Sequence, residues 1–68
     1  MPAILSSDLI FATIMQRGRV VADLTLQGIT SLTDVLTSTP GLSRGLARIS
    51  LRNSSQGWSH TSTVMLGA

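Results

Sequence analysis

The residues whose type and spacing most clearly indicate chemistry are three arginines in the second half of the chain. Arg44, Arg48 and Arg52 recur at every fourth position, and residues 41–68 contain no acidic residue. A guanidinium group binds phosphate through paired N–H donors, so a row of arginines is typical of a surface that contacts membrane lipid or nucleic acid. The simpler interpretation, which we prefer, is that the row solubilises one face or pairs with carboxylates of a neighbouring subunit.

Trp58 is the second candidate contact residue. It is the only tryptophan, and it lies in a Ser- and Gly-rich segment without large apolar neighbours. It must therefore pack on residues 1–40 or on another chain, and tryptophan is enriched among the residues that contribute most to protein–protein binding. Proteins that bind single-stranded nucleic acid usually have several stacking platforms, so the sequence ranks nucleic acid behind a membrane surface.

Catalytic and metal chemistry finds little support in the sequence. His60 has hydroxyl neighbours, but 18 of the 68 residues are Ser or Thr, so such adjacency is expected by chance. Asp8 and Asp34 fit helix starts, and Asp23 fits a solvent-facing strand position. The chain has no cysteine and one histidine, which argues against disulfides and Cys/His metal sites. We therefore predict a protein that is not an enzyme, with no catalytic residues, no cofactor and no metal.

The first apolar segment has the features of a helix. Ser6, Ser7 and Asp8 offer side-chain oxygens that can cap a first helical turn, and apolar residues follow at helical spacing. Gly18 is placed to end the helix in the left-handed conformation. The pattern therefore predicts a helix over residues 7–17.

A second capping pattern begins at Ser31. Ser31 and Asp34 have the spacing of a capping box, and Pro40 with Gly41 ends the segment, so the sequence predicts a helix over residues 31–38. The apolar side chains of the two predicted helices would form an association face, which consists of Leu9, Ile10, Phe11, Ile14, Met15, Leu32, Val35 and Leu36.

Two further segments are ambiguous between helix and strand. Residues 19–27 alternate apolar and polar side chains, which favours a half-buried strand over a continuation of the first helix. Residues 42–53 fit both periods, because Leu46 is explained by a helix and Leu51 by a strand. We prefer an amphipathic helix over 42–53.

These elements predict a small mainly-α or α+β single domain, with a helical hairpin and a disordered C-terminal tail as the alternative. Residues 1–40 would form a small apolar helical unit, and residues 41–68 a basic Ser- and Gly-rich segment with one short strand over 61–66. The chain start lacks the basic region of a signal peptide, and no apolar stretch approaches the ~20 residues of a membrane helix. We expect a soluble or peripheral protein, cytoplasmic by default.

Association is the means of stabilisation that the composition leaves open. A chain of 68 residues has little core, and 12% charged residues protect its surface poorly against association. We therefore predict a small structural or interaction subunit that forms a homo-oligomer or filament, or docks on another protein. The alternative is a peripheral binder of an anionic surface, with Arg44, Arg48, Arg52 and Trp58 as the predicted anion or partner contacts.

Overall fold

Four strands form one antiparallel sheet in the computed structural model, which describes residues 1–67. The elements follow the order β1 (Ile10–Gln16), β2 (Arg19–Leu26), α1 (Leu32–Thr37), β3 (Gly45–Asn53) and β4 (Trp58–Leu66). The spatial order of the strands is β2-β1-β3-β4, so β1 and β3 are central and β2 and β4 are the edges. The predicted mainly-α or α+β architecture is therefore wrong, and so is the helical hairpin.

The first predicted helix, residues 7–17, is instead the central strand β1. Its side chains alternate strictly, with Ile10, Ala12 and Ile14 buried and the intervening ones partly exposed. Residues four positions apart share a face in a helix and also in a strand, so the Ile10–Ile14 spacing fitted both. Pairing with strands on both sides decides in favour of β1, because it satisfies the backbone groups of a segment rich in β-branched residues.

A two-residue turn joins β1 to β2. Arg17 (φ 53°) and Gly18 (φ 73°) both have left-handed backbone conformations, the combination that a type I′ hairpin requires. Gly18 therefore adopts the conformation expected of it, but in a hairpin and not at a helix end. Strand β2 lies where a strand over 19–27 was predicted, and the register with β1 shifts once, between Ile14 and Met15.

The predicted helix over 31–38 is confirmed as α1. Ser31 is its N-cap, and the Ser31 hydroxyl accepts a hydrogen bond of 3.2 Å from the Asp34 amide. The Asp34 carboxylate accepts from the amide of Thr30 at 3.0 Å, one residue before the cap.

Among residues 1–67 there is no helix with the length and apolar character needed to cross a lipid bilayer.

The second half of the chain is a β-hairpin, so the preferred helix over 42–53 and the disordered tail are both wrong. Strand β3 alternates buried Ala47, Ile49 and Leu51 with more exposed residues. Strand β4 pairs with β3 along its whole length, from Trp58 opposite Asn53 to Leu66 opposite Gly45. The short strand expected over 61–66 is the C-terminal part of this longer one.

The core lies on one side of the sheet, which we call the inner face. Helix α1 covers it together with the segments around Ile4 and Ile29. The buried apolar residues are Ile4, Ile10, Ala12, Ile14, Ile29, Val35, Ala47, Ile49 and Leu51. The opposite side has no covering layer among residues 1–67, and we call it the open face.

Asp8 closes one end of the inner face and does not start a helix, which corrects its predicted role. It is 4% exposed, and its carboxylate accepts from the Leu5 amide at 3.0 Å and from Asn53 Nδ2 at 2.8 Å. Gln56 Nε2 is a third donor. These hydrogen bonds, led by the one from Leu5, hold the pKa of Asp8 below its ordinary value. The network joins the N-terminal segment to the β3–β4 turn.

Candidate functional site

The open face is the surface on which the chain presents most of its polar chemistry. Strand alternation and register place its side chains in rows across the sheet. They are Phe11, Thr13 and Met15 of β1, Val20, Asp23 and Thr25 of β2, Leu46, Arg48, Ser50 and Arg52 of β3, and Ser59, Thr61, Thr63 and Met65 of β4.

The arginine row survives the change from helix to strand. Because residues four apart also share a face in a strand, Arg48 and Arg52 both lie on the open face of β3, about 13 Å apart along the strand. Arg44 precedes β3, and its Nε donates to the carbonyl oxygen of Gly67 at 3.1 Å. The structure thus places two of the three predicted arginines on the same face of the sheet. The third, Arg44, bonds to Gly67, which follows the end of β4.

Each open-face arginine of β3 has an apolar partner on β1. Phe11 lies opposite Arg52, and Met15 lies opposite Arg48. The guanidinium carbon of Arg52 is 4.7 Å from the centroid of the Phe11 ring, a cation–π contact. The sequence analysis placed Phe11 and Met15 on an apolar association face. It could not show their arginine neighbours, because those follow only from the strand register.

Hydroxyl groups fill the row between the arginines. Ser50 Oγ lies 3.4 Å from Thr61 Oγ1, and Thr13 Oγ1 donates to Asp23 Oδ1 at 3.5 Å. An open groove of about 460 Å³ runs over this row and reaches Phe11 and Arg52. Its floor offers several hydrogen-bond donors and acceptors, and Asp23 is the carboxylate in its lining. Sequence reasoning missed this row, since no single segment contains it.

Arg17, in the β1–β2 turn, adds a third cation at the other end of the open face, and it also lines a groove with Gln16 and Arg19. With Met15, Leu46 and Arg48 it lines a second groove of about 290 Å³. The open face thus has three arginines and one carboxylate, Asp23, which lines the same groove as Arg52. Asp34 lies away from the face at the start of α1, where hydrogen bonds led by the Thr30 amide lower its pKa.

The outer edge of β4 is the second feature of interest. It has no strand partner among residues 1–67, and its nine residues include no Asp, Glu, Lys or Arg. Trp58 stands on the inner side of this edge strand, half-buried, and packs against the core. Its Nε1 is buried without a hydrogen-bond partner in the described part of the chain. His60 is also on the inner side, opposite Leu51.

The predicted association face is divided by the fold. Ile10, Ile14 and Val35 are 0% exposed in the chain's own core, so they cannot meet a partner while the sheet is intact. Its half-buried members are Leu9, Phe11, Met15, Leu32 and Leu36, of which Phe11 and Met15 lie on the open face. The most exposed apolar side chains are not members of the predicted association face; among them are Val20, Leu46 and Met65, which lie on the open face.

Known proteins give no template for this arrangement. No family model, no curated protein and no solved structure matches the chain. Within residues 1–67, no group of three or more His, Cys, Asp or Glu side chains is placed to hold a metal ion. The open face and the outer edge of β4 are the two surfaces on which a function can be based.

Proposed function

We propose that this chain is a non-enzymatic structural subunit that self-associates through the outer edge of β4. The observation that carries the proposal is the composition of that edge, because Trp58–Leu66 presents unpaired backbone groups over nine residues with no fixed charge. A long edge strand of this kind is a template for pairing with another strand. Proteins that avoid such pairing place charges, prolines or bulges on their edges.

The opposite edge, β2, has the protection that β4 lacks. It contains Arg19 and the exposed Asp23, and its register with β1 is broken between Ile14 and Met15. Charges and bulges both disfavour the addition of a further strand. Only one of the two edges is therefore suited to extension, which favours a closed pair over an unlimited ribbon.

A second copy of the chain is the partner that suits β4 best. In a two-fold antiparallel pair each residue near the axis faces its own copy or a close neighbour, so a charged edge would repel itself. The middle of β4, from Thr61 to Thr63, is uncharged and β-branched except at Ser62. Pairing would also extend cover over Trp58, Val64 and Leu66, which are only partly buried on the inner face.

Light scattering coupled to size exclusion on the full chain tests this proposal. We expect a dimer, and a thermal midpoint that rises with protein concentration, because association stabilises by mass action. The double variant Thr61→Lys/Thr63→Lys places like charges across the two-fold axis and should shift the chain to monomer at the same concentration.

The matched control places two lysines on the other edge. Val21→Lys/Thr25→Lys alters exposed residues of β2, adds the same charge, and should leave the dimer intact. A wild-type chain that stays monomeric at every concentration would refute the proposal. Equal dissociation of both double variants would also refute it, since the effect would then follow from net charge and not from the β4 edge.

A further inference from the structure

The cations of the open face are only partly neutralised by the chain itself. Asp8 and Asp34 are held elsewhere by hydrogen bonds to Leu5 and Thr30, and Asp23 bonds to Thr13. The open face therefore has three arginines and one carboxylate, and no layer among residues 1–67 covers it. Such a surface complements a ligand that carries several negative charges.

Arg17 is placed on this surface at a cost in backbone strain. Its φ is 53°, a conformation that side chains other than Asn and Asp rarely adopt and that costs about 1–2 kcal/mol for most L-residues. The first position of a type I′ turn favours Asn, Asp or Gly. A strained arginine that lines a groove with Arg48 therefore points to a role for its charge.

Phe11 and Arg52 together provide a flat stacking platform. The guanidinium lies over the ring at 4.7 Å, so its outer face remains available to a planar group. Nucleic-acid bases stack on arginine planes and on aromatic rings alike. Beside this platform the hydroxyls of Thr13 and Ser50 and the carboxylate of Asp23 can bond to the edge of a base.

From these three observations we infer that the open face binds single-stranded nucleic acid. Its phosphates contact Arg48, Arg52 and Arg17, and one base stacks over the Arg52–Phe11 pair. The surface is complete within one chain, so the inference does not depend on β4 pairing. This inference ranks nucleic acid ahead of a membrane surface, which is the reverse of the ranking from the sequence. The reason is that Phe11 supplies a stacking contact on the open face, whereas Trp58 lies on the inner face.

The chemistry of the face disfavours the other anionic partners. A membrane-binding surface needs a continuous apolar area that enters the acyl boundary. The exposed apolar side chains of the open face, Val20, Leu46 and Met65, lie at one end of it, whereas hydroxyl groups occupy its middle. A duplex is read by an element that enters one of its grooves. The open face is a sheet surface whose own groove is lined by side chains, which suits a flexible strand with exposed bases.

Fluorescence anisotropy with short labelled single-stranded DNA and RNA of mixed sequence tests the inference on the full chain. Three phosphate contacts predict a slope of about −2 for the logarithm of the affinity against the logarithm of salt concentration. Arg48→Gln and Arg52→Gln should each weaken binding and reduce that slope by about 0.7. Phe11→Leu should weaken binding about tenfold and leave the slope unchanged, because it removes stacking and no charge.

Arg19→Gln is the matched control. It also removes one positive charge, but Arg19 pairs with Gln16 at the inner-side positions of the hairpin and should leave affinity unchanged. Circular dichroism of each variant establishes that it folds, and if Phe11→Leu does not, the two glutamine variants still decide. Equal losses for Arg19→Gln and Arg52→Gln would overturn the inference, as would binding to phosphatidylserine vesicles without binding to either oligonucleotide. Absence of all binding at low salt would overturn it too.

Discussion

The two faces of the sheet consist of the same strands but have opposite compositions. The inner face carries apolar side chains, mostly Ile, Ala and Leu, and its centre is fully buried. The open face carries hydroxyls, arginines and one carboxylate, with Phe11 opposite Arg52 and exposed apolar side chains, Leu46 and Met65, at the end near Arg48. In a chain this short, the free energy of folding must come almost entirely from the inner face. The open face is therefore free to be selected for binding, and substitutions on the two faces should have separable effects.

The largest expected effect is the loss of a central inner-face side chain. Ile49 is 0% exposed and lies opposite Ile14. Ile49→Ala should lower the free energy of unfolding by about 2–5 kcal/mol, because it removes buried methyl groups and leaves a cavity. Urea titration followed by Trp58 fluorescence, at one fixed protein concentration, measures this loss.

The neighbouring open-face residue provides the control for this comparison. Ser50→Ala alters the next position of β3, where the side chain is only half-buried, and should change the free energy of unfolding by less than about 0.5 kcal/mol. If the two substitutions cost the same, the open face contributes to folding as much as the inner one. The division of roles between the faces would then be wrong.

A smaller effect is expected from protonation of Asp8, at the polar end of the inner face. Its pKa is lower in the folded chain than in the unfolded one, chiefly because the Leu5 amide donates to it. The resulting stability is fully present above the unfolded pKa and is lost as the pH falls through the folded pKa. Stability should therefore decline below about pH 4.

Thermal unfolding across this pH range measures the Asp8 contribution. Asp8→Asn should be less stable than the wild type at neutral pH and should show a shallower decline in acid. Asp34→Asn removes the other carboxylate with a lowered pKa, at the start of α1, and should leave the Asp8 part of the decline in place. An acid profile that is unchanged in Asp8→Asn would show that the network with Asn53 does not stabilise the fold.

The sequence predicts the local features of this fold better than its overall class. The cap of α1 at Ser31 and the left-handed Gly18 depend on neighbouring residues alone, and both were foreseen. Strands β1 and β3 were mistaken for helices because a four-residue spacing satisfies both periods. What distinguishes them is hydrogen bonding between β1 and β3, whose paired residues are 33 to 43 positions apart in the chain.

The candidate site could be predicted only in part for the same reason. Arg48 and Arg52 can be paired from the sequence because both belong to one strand, β3. The pairing of Arg52 with Phe11, and the row from Asp23 through Thr13 to Ser50, depend on the register between strands that no local pattern specifies. Trp58 was expected to pack on residues 1–40 or on another chain, and its inner-side position against the core follows from β4 pairing with β3.

The smallest expected effect is a gain in stability at Arg17, and it also tests whether the two faces have separate roles. If the open face keeps Arg17 for its charge and not for folding, a residue better suited to the left-handed turn should stabilise the chain. Arg17→Asn should raise the free energy of unfolding by up to about 1 kcal/mol while weakening anion binding, because asparagine tolerates this conformation. Arg19→Asn, two residues later in β2, removes the same charge where no such strain exists and should bring no gain. A less stable Arg17→Asn would mean that the arginine side chain makes a contact the fold requires, and the turn would then belong with the inner face as a source of stability.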